Sequence, residues 1–190
     1  MGRKIEKEVW DELQANILER YGTEKNAVGR FSHKGFKSAE NLGNVLNELI
    51  PNQSCLDVGC GLMALPYYME IADKVNFSGI DPLDDGGERE FEYICAAAEN
   101  LPFGDKSFDN VLFASALDHF LDPTLAVAES RRVLKDGGLL IVWTALIGDD
   151  GDIYHPIGYT NNSIMSLFSE FEFIEMTMIN IAEHLYIFKK

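Results

Sequence analysis

The sequence predicts an α/β fold: a seven-stranded, mostly parallel sheet with helices on both faces and an antiparallel hairpin at its C-terminal edge. Three observations predict it. From Ser54 onward, short apolar runs alternate with helical patterns, the rhythm of parallel strands joined by helices. The first run ends in Asp57-Val58-Gly59-Cys60-Gly61, a strand feeding a Gly-x-Gly turn. The last third holds two strand-like runs, Phe171 to Ile179 and His184 to Phe188, joined by a short turn instead of a helix.

Ahead of this core, Ile5, Val9, Leu13 and Ile17 recur at helical spacing, with Trp10 and Leu18 beside them. They predict an amphipathic helix over residues 3–20, closed by Gly22. Residues 22–37 are polar and glycine-rich, with Phe31, His33 and Phe36 embedded. Ser38 is a candidate cap for a second helix that buries Leu42, Val45, Leu46 and Leu49 and ends before Pro51. Strands are expected at Cys55 to Val58, Phe77 to Ile80, Phe91 to Cys95, Asn110 to Ala114 and Leu139 to Ala145. Helices are expected at Leu65 to Asp73, with Pro66 in the first turn, and at Thr124 to Leu134. Lys135-Asp136-Gly137-Gly138 reads as the turn that stops the second of these. Ser163 to Glu170 reads as a short helix before the hairpin. The chain therefore reads as one domain over residues 1–190: an N-terminal helical cap (1–50), a core (54–145), and a lid loop, short helix and edge strands (146–190).

Composition narrows the function. The chain is 46% hydrophobic and 11% aromatic over 190 residues, which suits a folded domain with a real core. Its net charge of -15 repels a polyphosphate partner, and the densest basic cluster, Arg131, Arg132 and Lys135, is small. Those arginines read as solvated helix-end charges matching the dipole. A small-molecule partner is favoured over nucleic acid. Cys55, Cys60 and Cys95 show no zinc-ligand spacing, so no metal site is expected, and an unpaired set of thiols suits a reducing cytoplasm. The longest apolar run, Leu139 to Ile147, is too short to span a bilayer.

Gly59 and Gly61 allow a tight turn and a close backbone approach to a ligand. Asp57, just before them, is an acceptor and points to a ligand carrying positive charge or hydroxyls. About 20 residues beyond Gly61, Asp81 before Pro82 ends the second strand, where a carboxylate suits ribose hydroxyls. Each has a plainer reading: Asp57 capping local backbone, Asp81 opening a turn, Glu99 a solvated loop charge, Asp109 a structural bond at a strand start.

With the segments Ala97-Ala98-Glu99-Asn100-Leu101-Pro102-Phe103, Ser107-Phe108-Asp109-Asn110 and Ser115-Ala116-Leu117-Asp118-His119, the chain resembles the class I S-adenosylmethionine-dependent methyltransferases, a Rossmann-like family, over about residues 54–145. The resemblance implies S-adenosylmethionine as cofactor, with Asp57 toward its ammonium, Asp81 and Pro82 at the ribose, and backbone at Ala98 and Glu99 facing the adenine. Gly59, Cys60, Gly61 and Ser115 complete the implied cofactor site. Three features depart from the family pattern. Met63 stands where a third glycine is usual, Ala97 where an Asp is frequent, and only about ten residues separate Asp81 from the third strand, so the intervening helix is expected to be short or absent.

In-line methyl transfer from a sulfonium asks mainly for alignment and exclusion of water. A hydroxyl acceptor also needs a base, and His119, at a strand end, and His155, in the loop Gly148 to Asn162, are the candidates; His33 could belong to an N-terminal lid. Two other readings stay open. Gly59 to Ala64 also fits the G-x-G-x-x-A of a nicotinamide oxidoreductase, and Met63 and Ala97 would suit a catalytically silent, methyltransferase-like binding protein.

Overall fold

Alternation of apolar side chains along the central strands sets the architecture. In the computed structural model, which describes residues 4–23, 34–148, 150 and 155–190, strand β4 (Phe108–Ala114) sends Val111 and Phe113 into one hydrophobic cluster and Leu112 into the other. A strand buried on both faces needs cover on both faces, and helices supply it.

The sheet has seven strands in the order β3-β2-β1-β4-β5-β7-β6. These are β1 (Ser54–Val58), β2 (Asn76–Asp81), β3 (Glu92–Cys95), β4, β5 (Leu134–Ala145), β6 (Glu172–Met178) and β7 (Glu183–Lys189). β1 to β5 pair in parallel, whereas β7 runs antiparallel between β5 and β6. The expected edge hairpin is therefore present. Helices α2 (Lys37–Leu49) and α3 (Tyr67–Ile71) cover one face against Cys55, Leu112, Ile141 and Trp143. The other face buries Leu56, Val58, Val111, Phe113, Leu140 and Val142 with residues of α4 (Pro123–Val133), α5 (Asn161–Leu167) and Ile5.

Several local expectations shift for identifiable reasons. Helix α1 (Lys7–Thr23) starts later than residue 3 and passes Gly22. Its predicted apolar stripe is only partly covered: Ile5 is buried, Leu13 and Ile17 are half-buried, and Val9 is 55% exposed. What ties this end down is Ile5, whose N–H donates to Leu121 O at 3.0 Å, and Trp10, whose Nε1–H donates to His119 O at 2.9 Å. Ser38 does not cap α2; it lies inside the helix, buried, and Phe36 holds the cap position, where its side chain makes no capping hydrogen bond. α3 is only five residues long, and Pro66 precedes it instead of sitting in its first turn. A proline biases the residue before it away from helix, so Leu65 cannot start one.

Asp122 caps α4, accepting from the N–H groups of Thr124 (3.1 Å) and Leu125 (3.3 Å), with Pro123 at the first helical position. Lys135 to Gly138 lies within β5 as an irregularity, since Phe108 pairs with Leu134 but Asn110 with Leu139. Between β2 and β3 no helix forms, as the short spacing predicts.

Candidate active site

Side-by-side parallel strands bring their C-terminal ends to one edge, and the turns that follow them meet there. The end of β1 and the turn after it carry Asp57 to Gly61, the end of β2 and the turn after it Asp81 and Pro82, the segment after β3 Ala98 and Glu99, and the turn after β4 Ser115 to His119. The structure thus gathers at one edge every cofactor residue singled out from sequence.

The glycine loop is built for this place. Gly59 has φ +84 and Gly61 φ +73, and the N–H groups of Gly59 and Cys60 both donate to Ile80 O, at 2.8 and 3.0 Å. A Cβ on Gly59 would lie 2.5 Å from the Ala116 Cβ, so the loop passes hard against the turn after β4. Ser115, with φ +57, holds a left-handed conformation that costs a non-glycine residue on the order of 1 kcal/mol or more, and its N–H donates to Trp143 O at 2.8 Å.

The two carboxylates differ. Asp81 Oδ2 accepts from Gly61 N–H at 2.9 Å and Oδ1 from Leu83 N–H at 3.0 Å, which locks the two turns together. Burial raises its pKa, partly offset by those N–H groups and by His119 and Arg89. Asp57 is fully buried behind the loop. Its Oδ2 accepts from Tyr68 Oη at 2.5 Å, whereas Oδ1 has no partner. Burial pushes Asp57 up to about 7, against the Tyr68 bond and with help from Asp81. Cys60 is buried and its thiol is pushed upward by burial, which makes it a poor nucleophile.

Glu99 is not a free loop charge. Its Oε1 accepts from Asp122 N–H at 2.9 Å and so bonds the cap of α4 to the segment after β3. Arg132 also departs from the solvated reading. It donates to Leu101 O (3.1 Å) and Phe103 O (2.8 Å) and pairs with Glu129 (2.7 Å) and Asp105 (3.0 Å). Arg131, 3.9 Å from Glu170, does stay a surface charge. Asp109 is structural as read, bonded to Ser54 and Lys135, whose hydrogen bonds lower it to about 2.

Sequence reasoning missed Asp118. The 3-10 turn Leu117–His119 buries it, and His155 Nδ1, from the loop 37 residues further on, bonds to its Oδ2. His119 Nε2 stands 3.6 Å from the same oxygen. Burial works to raise Asp118, but the two imidazoles outweigh it and hold the carboxyl below its usual range. Nothing in local spacing couples residue 118 to residue 155; only the fold does. The described part of the expected lid loop is packed down, with Ile157 and Tyr159 buried, Ile157 N–H donating to Asp118 O at 3.3 Å and Tyr159 Oη to Leu117 O at 3.4 Å. His33 lies outside the described residues. A depression of about 600 Å³ at the opposite ends of the strands is lined by Gln53, Asp109 and Lys135, and the charges of Asp109 and Lys135 are already paired with each other.

Residues 56–142 match a protein family described as a methyltransferase domain. A tRNA U34 carboxymethyltransferase of Nautilia profundicola is 28% identical over 121 residues, 58% of this chain and 40% of that protein. A demethylmenaquinone methyltransferase of Renibacterium salmoninarum is 38% identical over 99 residues, 49% of this chain and 41% of that protein. The chain thus spans about two-fifths of the length of these relatives. In fold it resembles the Burkholderia thailandensis 1,6-didemethyltoxoflavin-N1-methyltransferase, solved with its substrate and S-adenosylhomocysteine: TM-score 0.77, 12% identity, 100% of this chain and 92% of that one. The central segment of the chain is thus similar to methyltransferase domains, and the whole chain shares the Rossmann-like fold of solved methyltransferases. Among the described residues, no helix is long and apolar enough to cross a membrane.

Proposed function

We propose that this chain transfers a methyl group from S-adenosylmethionine to a small-molecule acceptor in the cytoplasm. The observation that carries the reading is the placement of Asp57 and Asp81 at the ends of neighbouring strands, beside a turn whose glycines both sit at positive φ and whose Gly61 N–H donates to Asp81. The residues fit the cofactor. Asp57 keeps a buried, unpartnered oxygen that meets the ammonium, directly or through one water. Asp81 is fixed by backbone N–H groups yet retains acceptor capacity for ribose hydroxyls. Pro82, Cys60 and backbone at Ala98, Glu99 and Ser115 line the remainder.

The bound cofactor supplies an electrophilic methyl on a good leaving group. The chain's own part is to align the acceptor and exclude water. Asp118, His119 and His155 stand where the acceptor approaches, and the two imidazoles take its proton where it has one to give. The net charge of -15 favours a small acceptor over tRNA, even with a tRNA-modifying relative. Calorimetric titration with S-adenosylmethionine, S-adenosylhomocysteine and NAD tests the reading. Micromolar adenosyl-ligand binding without NAD binding is expected; the reverse, or no binding at all, sinks it. A metabolite screen with tritiated donor then finds the acceptor, with bulk tRNA as the arm expected to stay unlabelled.

A further inference from the structure

Asp118, His119 and His155 offer one carboxylate oxygen and two imidazole nitrogens that all lie within 4.8 Å of one another. Two come from adjacent positions on the 3-10 turn after β4 and the third from the loop that folds back over it. We propose that these three side chains bind a divalent d-block cation of the zinc class at the acceptor side of the site.

Three features carry this. The first is the donor set. Two nitrogens and one oxygen suit zinc and its d-block neighbours; magnesium and calcium want oxygen ligands throughout. The second is spacing. Ligands about 2.0–2.2 Å from a tetrahedral zinc stand about 3.3–3.6 Å apart, and His119 Nε2 lies 3.6 Å from Asp118 Oδ2. His155 Nδ1 approaches the same carboxylate more closely, as a hydrogen bond. Ligation through Nδ1 moves the imidazole proton to Nε2 and lets the cation take the bridging position, so no proton is gained or lost by a neutral ring. The third is balance of charge. Asp118 is buried, with His155 bonded to its carboxylate and His119 Nε2 3.6 Å away. A buried carboxylate is costly without a cation beside it, and a bound cation relieves that cost.

Access exists, since the His119 and His155 side chains are 27% and 30% exposed. Three protein ligands leave a fourth position open, as in zinc sites that act on a ligand and unlike closed structural ones. The acceptor class that fits it is a hydroxyl or thiol, whose proton a bound cation makes easier to lose; with the cation bound, the imidazoles act as ligands and that proton passes to solvent water, whereas in the metal-free site they are the bases. That role rests on the methyltransferase reading; the cation site itself does not.

The test uses the whole chain stripped with chelator and titrated with Co²⁺, then with Zn²⁺ in competition. Expected are one equivalent of Co²⁺ bound with tetrahedral ligand-field bands, displacement by Zn²⁺, and at least tenfold weaker binding in His155→Ala and in Asp118→Asn. Cys95→Ser, at an exposed thiol outside the cluster, should bind like the parent. No saturable binding by the parent, or parent-like affinity in either cluster variant, overturns the site. If a variant fails to fold, imidazole resonances of the parent decide: Zn²⁺ should shift His119 and His155 and leave His184 alone, and any other pattern overturns the proposal. S-adenosylhomocysteine affinity is measured on the same samples. Its absence beside intact metal binding faults the cofactor reading only, and the converse faults the cation site only.

Discussion

The Tyr68 hydroxyl donates to Asp57 Oδ2 at 2.5 Å, so a residue of α3 supplies the hydrogen bond that makes a fully buried carboxylate tolerable under the glycine loop. Burial dominates all the same, and Asp57 titrates at about 7. A carboxyl raised above its unfolded value near 3.8 contributes stability that is complete below about pH 4 and lost as pH rises through about 7. The full loss has an order of magnitude of about 4 kcal/mol. Urea unfolding should therefore show a midpoint that falls between pH 5 and pH 8. Asp57→Asn, which keeps the Tyr68 contact and cannot ionise, should flatten that fall. Equal slopes in parent and variant would remove Asp57 from the account. Tyr68→Phe should cost about 1–3 kcal/mol at neutral pH, because Asp57 is then left with no partner at all.

The same titration couples to ligand. An ammonium near Asp57 favours its ionised form, so S-adenosylhomocysteine binding near pH 6 should release a proton from the carboxyl. Binding enthalpies in buffers of differing ionisation heat read that proton directly. No buffer dependence in the parent, or the same dependence in Asp57→Asn, would place the ammonium elsewhere.

Asp81 acts on two levels, since it both accepts from Gly61 N–H at 2.9 Å and offers its remaining lone pairs to a ligand. Asp81→Ala should weaken S-adenosylhomocysteine by tenfold or more, in line with about 1.5–3 kcal/mol for a hydrogen bond to a charged group. Calorimetry at fixed pH checks this. Unchanged affinity in a folded variant takes Asp81 out of the site.

How much of this was legible beforehand follows from the range over which each signal acts. Asp57, Gly59, Gly61 and Asp81 announce themselves because a strand end, its turn and the next strand end are close in sequence, and the fold repeats that spacing. The seven strands were legible for the same reason, each apolar run standing in one stretch. Asp118 was not, because its meaning comes from His155, brought to it across 36 intervening residues by the way the loop packs Ile157 and Tyr159. Arg132 was misread because a charge at a helix end looks solvated in sequence, and its partners Leu101, Phe103 and Asp105 lie on another loop. α1 was over-read: Val9 keeps helical spacing yet has little to pack against among the described residues.

Gly59 is the position where the fold tolerates least. A side chain there meets two penalties, a φ of +84 and a Cβ 2.5 Å from the Ala116 Cβ. The left-handed conformation costs about 1–2 kcal/mol in a non-glycine residue, and the overlap adds a similar amount. Gly59→Ala should lower stability by about 2–4 kcal/mol and push the turn after β4 outward. Thermal unfolding and S-adenosylhomocysteine titration should both register it, while Gly148→Ala, with φ +84 but nothing within 4 Å, should pay the backbone penalty alone. Equal losses in the two variants would mean that the contact with Ala116 does not matter.

Arg132 tests whether the segment after β3 is held from outside the site. Its guanidinium spans Leu101 O, Phe103 O, Glu129 and Asp105, a planar fork used on both sides. That geometry is unavailable to an ammonium, so Arg132→Lys keeps the charge and loses most of the bonds. Because the pairs are partly exposed, the cost should come mainly from the two carbonyls left without their donor, about 1–2 kcal/mol. Raising the salt concentration should therefore leave most of the difference between parent and variant intact. The segment carrying Ala98 and Glu99 adjoins these carbonyls, so amide exchange there should quicken and adenosyl-ligand affinity should drop severalfold. A variant that loses stability while exchange in that segment stays at the parent rate would show that the clamp supports α4 alone.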